Sequence, residues 1–312
     1  MLNSIFSTLF TMRFLLTVIR MSTPILFAAM AAFVAARAGV NNIAIESIMT
    51  FAALAGILGS YLTGYAWAGV FFAIVIGIIT TFIIIYFSMK LGAKMHLIMI
   101  AFNTFADSVA IFVLYLITGD KGTTASLATP ILDVINIPVI KDIPIVGDII
   151  SGQYVLTYLC LLLVIMLYFV IYRTPFGLRM RACGLNADAA KTAGINVERL
   201  QIVSLVLSGI LAALGGVYLS LNYLKIFSKG MVSGQGWMGV SANGISGGSY
   251  GVLVLFAIIF AVFRAISIIF SSNAAFPTDL VSVIPYFSVF VILTVVSIVN
   301  YYRVKRGKVE EQ

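Results

Sequence analysis

Long, unbroken apolar runs alternate with short polar stretches along this chain. The runs cover residues 14–36, 43–63, 66–87, 95–118, 154–172, 201–221, 251–270 and 281–300. Each is close to the roughly 20 residues that a helix needs to cross a bilayer core of about 30 Å. Strands of a membrane barrel would alternate apolar and polar positions instead. The pattern therefore predicts about eight membrane-crossing helices in a single all-α, polytopic bundle, 1–312. The intervening stretches differ in kind. Residues 119–153 carry Pro130, Pro138 and Pro144 and are too interrupted to cross. Residues 173–200 are the most charged internal segment, 237–248 are short and rich in Gly and Ser, and 301–312 form a charged tail. The N-terminus has neither an early basic region nor a small-residue cleavage site, so 1–12 read as an interfacial segment rather than a signal peptide.

Two stretches break the apolar pattern at matching places. A full span (14–36) precedes a short segment entered through Gly39, Asn41 and Asn42. A second full span (201–221) precedes the Gly/Ser-interrupted segment 237–248. These two units are expected to run in opposite directions. Such inverted repeats with broken or half helices are a transporter signature, and the breaks point at the solute path. Free backbone groups at the breaks need a cavity or a buried partner.

Composition agrees. Hydrophobic residues make up 62% of the chain and charged residues 10%, against roughly 25% charged in soluble domains. The net charge of +8 points to retained basic loops rather than to nucleic acid. With 173–200 and the C-terminal tail placed in the cytoplasm and 237–248 counted as a short crossing, twelve of the 19 Lys and Arg lie inside and six outside. Segment 119–153 is then extracellular. The outside pair Arg13 and Arg20 runs against the rule, and a cytoplasmic N-terminus with one more crossing is the alternative. Cys160 and Cys183 have no metal spacing and no disulfide pattern. His96 is the only histidine, so no metal site is expected. Gly119-Asp120-Lys121-Gly122-Thr123 has the wrong order for a nucleotide-binding loop.

In 173–200 the residues specify one short helix. Asn186 is a suitable N-cap and Asp188 favours the positive end. Ala187, Ala189, Ala190 and Ala193 are strong helix formers, and Gly194 can close the helix in the left-handed conformation. A smooth helix projecting from the membrane fits a partner's groove, and a plain connector between spans is the other reading.

The run Gly177-x-Arg179-x-Arg181-Ala182-x-Gly184-x-Asn186-x-x-Ala189-Ala190-x-x-x-Gly194-Ile195 resembles the ATPase-coupling loop of ABC importer permeases. The branch is the one holding branched-chain amino acid, ribose and nucleoside permeases, and the likeness is closest to the smaller nucleoside permease subunit. The stretch Ala36 to Met49 and the Ala101-Phe102-Asn103 element are similar to motifs of that branch. Two departures fall where the path should lie. Ser47 stands where relatives usually have Gly, and 240–251 lack the usual Pro. The resemblance implies a transport subunit rather than an enzyme, in a bacterial cytoplasmic membrane, with a cytoplasmic C-terminus. No cofactor is expected on this chain; ATP would be bound by two cytoplasmic ATPase domains. A second permease subunit (a related longer chain, or a second copy) and an extracellular solute-binding lipoprotein would complete the assembly. Gly177, Arg179, Arg181, Gly184, Asn186, Ala189, Ala190 and Gly194 would couple to the ATPases.

Candidate solute contacts are Asn42, Glu46, Phe102, Asn103, Asp107, Trp237, Ser241, Asn243 and Ser246. An acid inside a span is costly and faces a cavity or a partner, so Glu46 either bonds solute or pins the broken helix. Asn42 and Asn103 suit a base or sugar hydroxyl, or hold helices together. Asp107 shares the Asn103 helix face. Phe102 and Trp237 could stack on a planar base; Trp237 also suits an interface anchor. Ser241, Asn243 and Ser246 contact solute or cap backbone. Arg264 either snorkels to the outer interface or pairs with Asp107 or an anionic solute. The aromatic residues in 154–172 and 281–300 read as lipid-facing bulk. An uncharged polar solute is expected: a nucleoside, with a simple sugar or riboflavin as alternatives. An ion-coupled secondary transporter would carry more intramembrane carboxylates, and a membrane enzyme would need a nucleophile and base that this chain does not assemble.

Overall fold

A computed structural model describes residues 12–135, 151–271 and 278–310. The helices are α1 Met12–Arg37, α2 Ile45–Thr63, α3 Ala66–Met89, α4 Met95–Thr118, α5 Val155–Arg173, α6 Pro175–Leu185, α7 Ala187–Thr192, α8 Val197–Val217, α9 Gln235–Ile245, α10 Tyr250–Ser271 and α11 Thr278–Glu310. Seven of them are long and apolar enough to cross a membrane, and α11 adds the apolar stretch Val283–Val299. The expected all-α bundle of about eight spans is therefore present.

The apolar runs form helices whose ends follow local chemistry. Gly64 and Gly119 close α2 and α4 in the left-handed conformation. α1 is apolar on every side, and it sits at the centre, buried almost throughout from Met21 to Ala35. It packs against α8, α9 and α10. Lipid tails are as apolar as leucine, so helices in a membrane associate through close approach of small residues. The contact between α8 and α2 shows this: a Cβ on Gly216 would land on the Met49 backbone. α4 and α5 lie outside, with Phe112, Tyr115, Leu161 and Phe169 exposed.

Both broken units are present, but the second break lies earlier than the sequence led us to expect. In the first unit, α1 ends at Arg37 and the chain re-enters through 38–44 before α2. In the second, α8 widens into a π-type turn at Tyr218–Tyr223. The break then occupies 224–234, ahead of α9. Lys225, Gly230, Ser233 and Gly234 all have positive φ there. The Gly/Ser run itself forms most of α9 and the turn Gly247–Gly248 that follows it.

The two ends of the bundle are distinct. At one end Thr124 N–H donates to the Phe227 carbonyl (3.0 Å), and Ser60 Oγ donates to the Pro130 carbonyl (2.6 Å). A short antiparallel pair, β1 Val134–Ile135 with β2 Gln153–Tyr154, lies in the same connection. Pro138, Lys141 and Pro144 fall outside the described residues, as do 1–11 of the N-terminal segment. At the other end Arg37, Tyr172 and Gly248 meet, and α6 and α7 project beyond them. The charged C-terminal stretch is not a separate tail, because α11 continues as helix to Glu310.

Candidate functional site

The two breaks meet at one carboxylate. Glu46 lies in the first turn of α2, where negative charge suits the positive helix end. Its Oε1 accepts the Gly234 N–H at 2.7 Å and its Oε2 accepts the Gly236 N–H at 2.8 Å. These amides are free because they open α9. One side chain in the first turn of α2 thus caps the N-terminus of α9, at lengths typical of charge-assisted bonds. Gly234 sits at φ 79°, and a Cβ on Gly236 would fall 2.7 Å from the Glu46 amide nitrogen and Oε2. Glycine is required at both positions, at the first by conformation and at the second by contact.

The asparagines are used in the same way. Buried Asn42 donates from Nδ2 to Ser208 Oγ (2.9 Å) and accepts the Ala44 N–H (3.0 Å), which ties the first break to α8. Asn103 Oδ1 accepts the Ser47 N–H and Nδ2 donates to the Ile43 carbonyl, both at 3.0 Å, which ties α4 to the start of α2. The buried Ser47 hydroxyl donates to the Ala44 carbonyl (2.7 Å), so the departure from Gly is absorbed locally.

Beside this junction lies a cavity of about 680 Å³, within the usual range of roughly 300–1,000 Å³ for ligand sites. Its walls are Glu46, then Ile100, Asn103, Thr104 and Asp107 of α4, then Gly230, Val232, Ser233 and Gly234 of the second break, with Trp237 of α9 and Tyr286 of α11. Of the residues singled out in the sequence, Glu46, Asn103, Asp107 and Trp237 come together here. Phe102 turns instead into an apolar hollow with Phe51, Phe87 and Phe105. Asn42 is spent on helix packing. Ser246 donates to the Asn243 carbonyl (2.7 Å) and accepts the Gly248 N–H (3.2 Å), closing the far end of α9, and Ser241 lies along that helix rather than on the cavity wall. Arg264 lies within electrostatic range of Tyr286, Tyr223 and Glu46 and makes no ion pair with Asp107 among the described residues. Tyr286 and Ser233 were missed. Tyr286 lies in a stretch that reads as lipid-facing bulk, and its hydroxyl right after Pro285 was the available signal.

The charged segment 173–200 contains two helices. Thr174 caps α6, accepting the Gly177 N–H at 3.2 Å, with Pro175 at the first helical position. Asn186 Oδ1 accepts the Ala189 N–H at 3.0 Å, and Gly194 closes the segment at φ 80°. α6 is fixed to the bundle. A Cβ on Gly177 would strike the Val170 and Ile171 carbonyls, and one on Gly184 the Arg37 carbonyl. The Arg181 guanidinium lies over the Tyr172 ring, 5.2 Å from its centroid. Ala190 is buried, while Arg179, Leu185 and Ala189 are exposed, Leu185 at 88%. Apart from Ala190, α7 is exposed; a hollow of about 640 Å³ lies beside it, and one of about 540 Å³ lies between α6, residues 193–196 and the start of α8.

Residues 14–298 match the family of branched-chain amino acid transport system permease components. The chain belongs to this family. The permease is 30% identical to the guanosine ABC transporter permease protein NupQ of Bacillus subtilis, over 71% of each chain. It is 26% identical to the nucleoside ABC transporter permease protein NupC of Lactococcus lactis, over 87% of this chain and 88% of that one. Its fold matches a solved chain of a metal-chelate type ABC transporter in an inward-facing conformation, at TM-score 0.50 and 17% identity, covering 89% and 86% of the two chains. The permease is thus a multi-pass membrane transport component rather than an enzyme. Among the described residues no three His, Cys, Asp or Glu gather closely enough to hold a metal ion.

Proposed function

We propose that this chain is one permease subunit of an ABC importer that moves a nucleoside or similar uncharged polar solute into a bacterial cell. ATPase subunits drive the complex, as its permease family implies. The observation that carries the solute reading is the junction at Glu46. The first turn of α2 meets the N-terminus of α9 there, beside a cavity that offers a carboxylate, a tryptophan and a tyrosine. Aromatic faces and hydrogen-bond acceptors suit a base with its sugar. The nucleoside permeases among the relatives support the same solute class.

On this reading the end with α6 and α7 is cytoplasmic, and so is the C-terminus, in the cytoplasmic membrane. α7 sits in an ATPase groove, with Asn186, Ala189, Ala190 and Gly194 shaping it. Arg181, Gly177 and Gly184 anchor α6 so that the loop moves as a body. A route from that loop to the cavity is continuous. Arg181 stacks on Tyr172, whose hydroxyl donates to the Gly248 carbonyl at 3.2 Å. Gly248 follows α9, which has 11 residues and is about 16 Å long. The other end of α9 is the Glu46 junction. Displacement of α6 would therefore move α9 as a rod and change the cavity wall, the kind of two-state movement that packed helices allow. A second permease subunit, a related longer chain or a second copy, would close the open side of the cavity beside α4. An extracellular solute-binding lipoprotein would dock at the end carrying 119–135.

The test is solute-dependent ATP hydrolysis by the reconstituted complex of this chain, its partner permease, the ATPases and the binding protein. Nucleosides are expected to stimulate hydrolysis. Stimulation by sugars or riboflavin alone would overturn the solute class, and failure to associate with any ATPase would overturn the importer reading.

A further inference from the structure

The cavity wall carries several polar groups, but most are already committed within the protein. Both Glu46 oxygens accept backbone amides. Both ends of the Asn103 amide are occupied. Ser233 and the Tyr286 hydroxyl bond each other, and the Thr104 hydroxyl donates to the Ile100 carbonyl at 3.5 Å. Asp107 differs: its carboxylate makes no hydrogen bond or ion pair among the described residues, and it lies exposed on the cavity wall. An ionisable side chain on a spanning helix faces a water-filled path or a partner, because exposure to lipid is costly. No Lys or Arg is among the residues lining this cavity.

From this inventory we infer that Asp107 is the group that selects the solute, by accepting two adjacent N–H or O–H donors from a neutral molecule held between Trp237 and Tyr286. The inference rests on the permease reading above. A carboxylate accepts on two oxygens at once and donates nothing. It therefore rewards a solute with paired donors and rejects one with an anionic group, so nucleotides are excluded while nucleosides pass. Two parts of a nucleoside supply such a pair: the cis-hydroxyls of ribose, and the adjacent ring N–H and exocyclic amine of guanine. A base lacking paired donors could still stack on the aromatic rings, but only its ribose could engage Asp107.

The experiment compares uptake by proteoliposomes holding the complete importer with wild-type permease, Asp107→Asn or Asp107→Glu. Asn keeps the size but replaces one acceptor by a donor, and Glu keeps the acceptor pair. The solutes are guanosine, inosine, uridine and their 2′-deoxy forms, each rate normalised to wild type with the same solute. Guanosine uptake is expected to fall about ten-fold or more in Asp107→Asn, the ordinary consequence of losing a hydrogen bond to a charged group. Asp107→Glu is expected to recover most of it. If ribose supplies the donors, inosine and uridine fall equally and the deoxy forms change little. If guanine supplies them, the loss is confined to guanosine and deoxyguanosine. Unchanged uptake of all six solutes, or an equal loss for all six, would overturn the inference. Co-purification of the ATPases and the partner permease with each variant shows that the complex is assembled; should Asp107→Asn fail this check, wild-type selectivity in Asp107→Ser overturns the inference instead. A wild-type importer that carries no nucleoside points to failure of the underlying reading, not of the Asp107 assignment.

Discussion

Replacing Glu46 by Gln should loosen the start of α9 while leaving the spans in place. The two bonds from Gly234 and Gly236 measure 2.7 and 2.8 Å. A hydrogen bond to a charged group contributes about 1.5–3 kcal/mol. Glutamine keeps one acceptor oxygen, so it can hold one amide, but it turns its NH₂ toward the other and leaves that donor unpaired. The expected loss is therefore one such bond, about 1.5–3 kcal/mol. At about 1.4 kcal/mol per factor of ten, local opening should become roughly 10- to 150-fold more frequent. Hydrogen exchange of the permease in lipid nanodiscs reads this directly, on peptides covering 230–240. Their protection should fall by that factor, while peptides from α1 and α8 keep theirs. Glu46→Asp, one methylene shorter, should fall in between because it reaches only one amide well. Equal protection in all three proteins would refute capping of α9 by both Glu46 oxygens and require another partner for the α9 amides.

Gly236→Ala should displace α9 from α2, because its Cβ would sit 2.7 Å from Glu46 backbone and carboxylate atoms; transport should be lost with membrane insertion unchanged by protease mapping. Tyr172→Phe keeps the ring under Arg181 but removes the bond to Gly248, worth about 0.5–1.5 kcal/mol; solute moved per ATP hydrolysed should fall about two- to ten-fold with basal hydrolysis unchanged. Asn186→Ala removes the cap of α7, at a cost of about 1 kcal/mol; ATPase binding, measured by co-purification from detergent, should weaken without loss of permease fold.

The spans were legible because a bilayer imposes a length on every apolar run, and the polar stretches mark where each ends. The cap at Asn186 and the turn at Gly194 were legible because both are local. The second break was misplaced for an identifiable reason. The glycines and serines of 237–248 draw attention, yet Gly239, Ser241 and Gly244 lie within α9 and Ser246, Gly247 and Gly248 form the turn after it, while Lys225 and Ser233 adopt positive φ without a sequence signal that announces it. The Glu46 junction could be suspected from the acid but not completed. Its donors are backbone amides 188 and 190 residues away, and backbone groups leave no mark in residue types. Tyr286 was missed because an apolar span looks the same whether its aromatic residue faces lipid or a cavity. The α6 helix had a readable start in Thr174-Pro175, which the stronger signal at Asn186 overshadowed.

Photo-crosslinking of an azido-nucleoside to the working importer addresses the path itself. After illumination during turnover, the attached label should map to peptides containing Thr104, Asp107, Ser233, Trp237 or Tyr286, and excess unlabelled nucleoside should suppress it. Label confined to the apolar hollow around Phe51 and Phe102, or unaffected by competing nucleoside, would contradict passage of the solute through the cavity at the Glu46 junction.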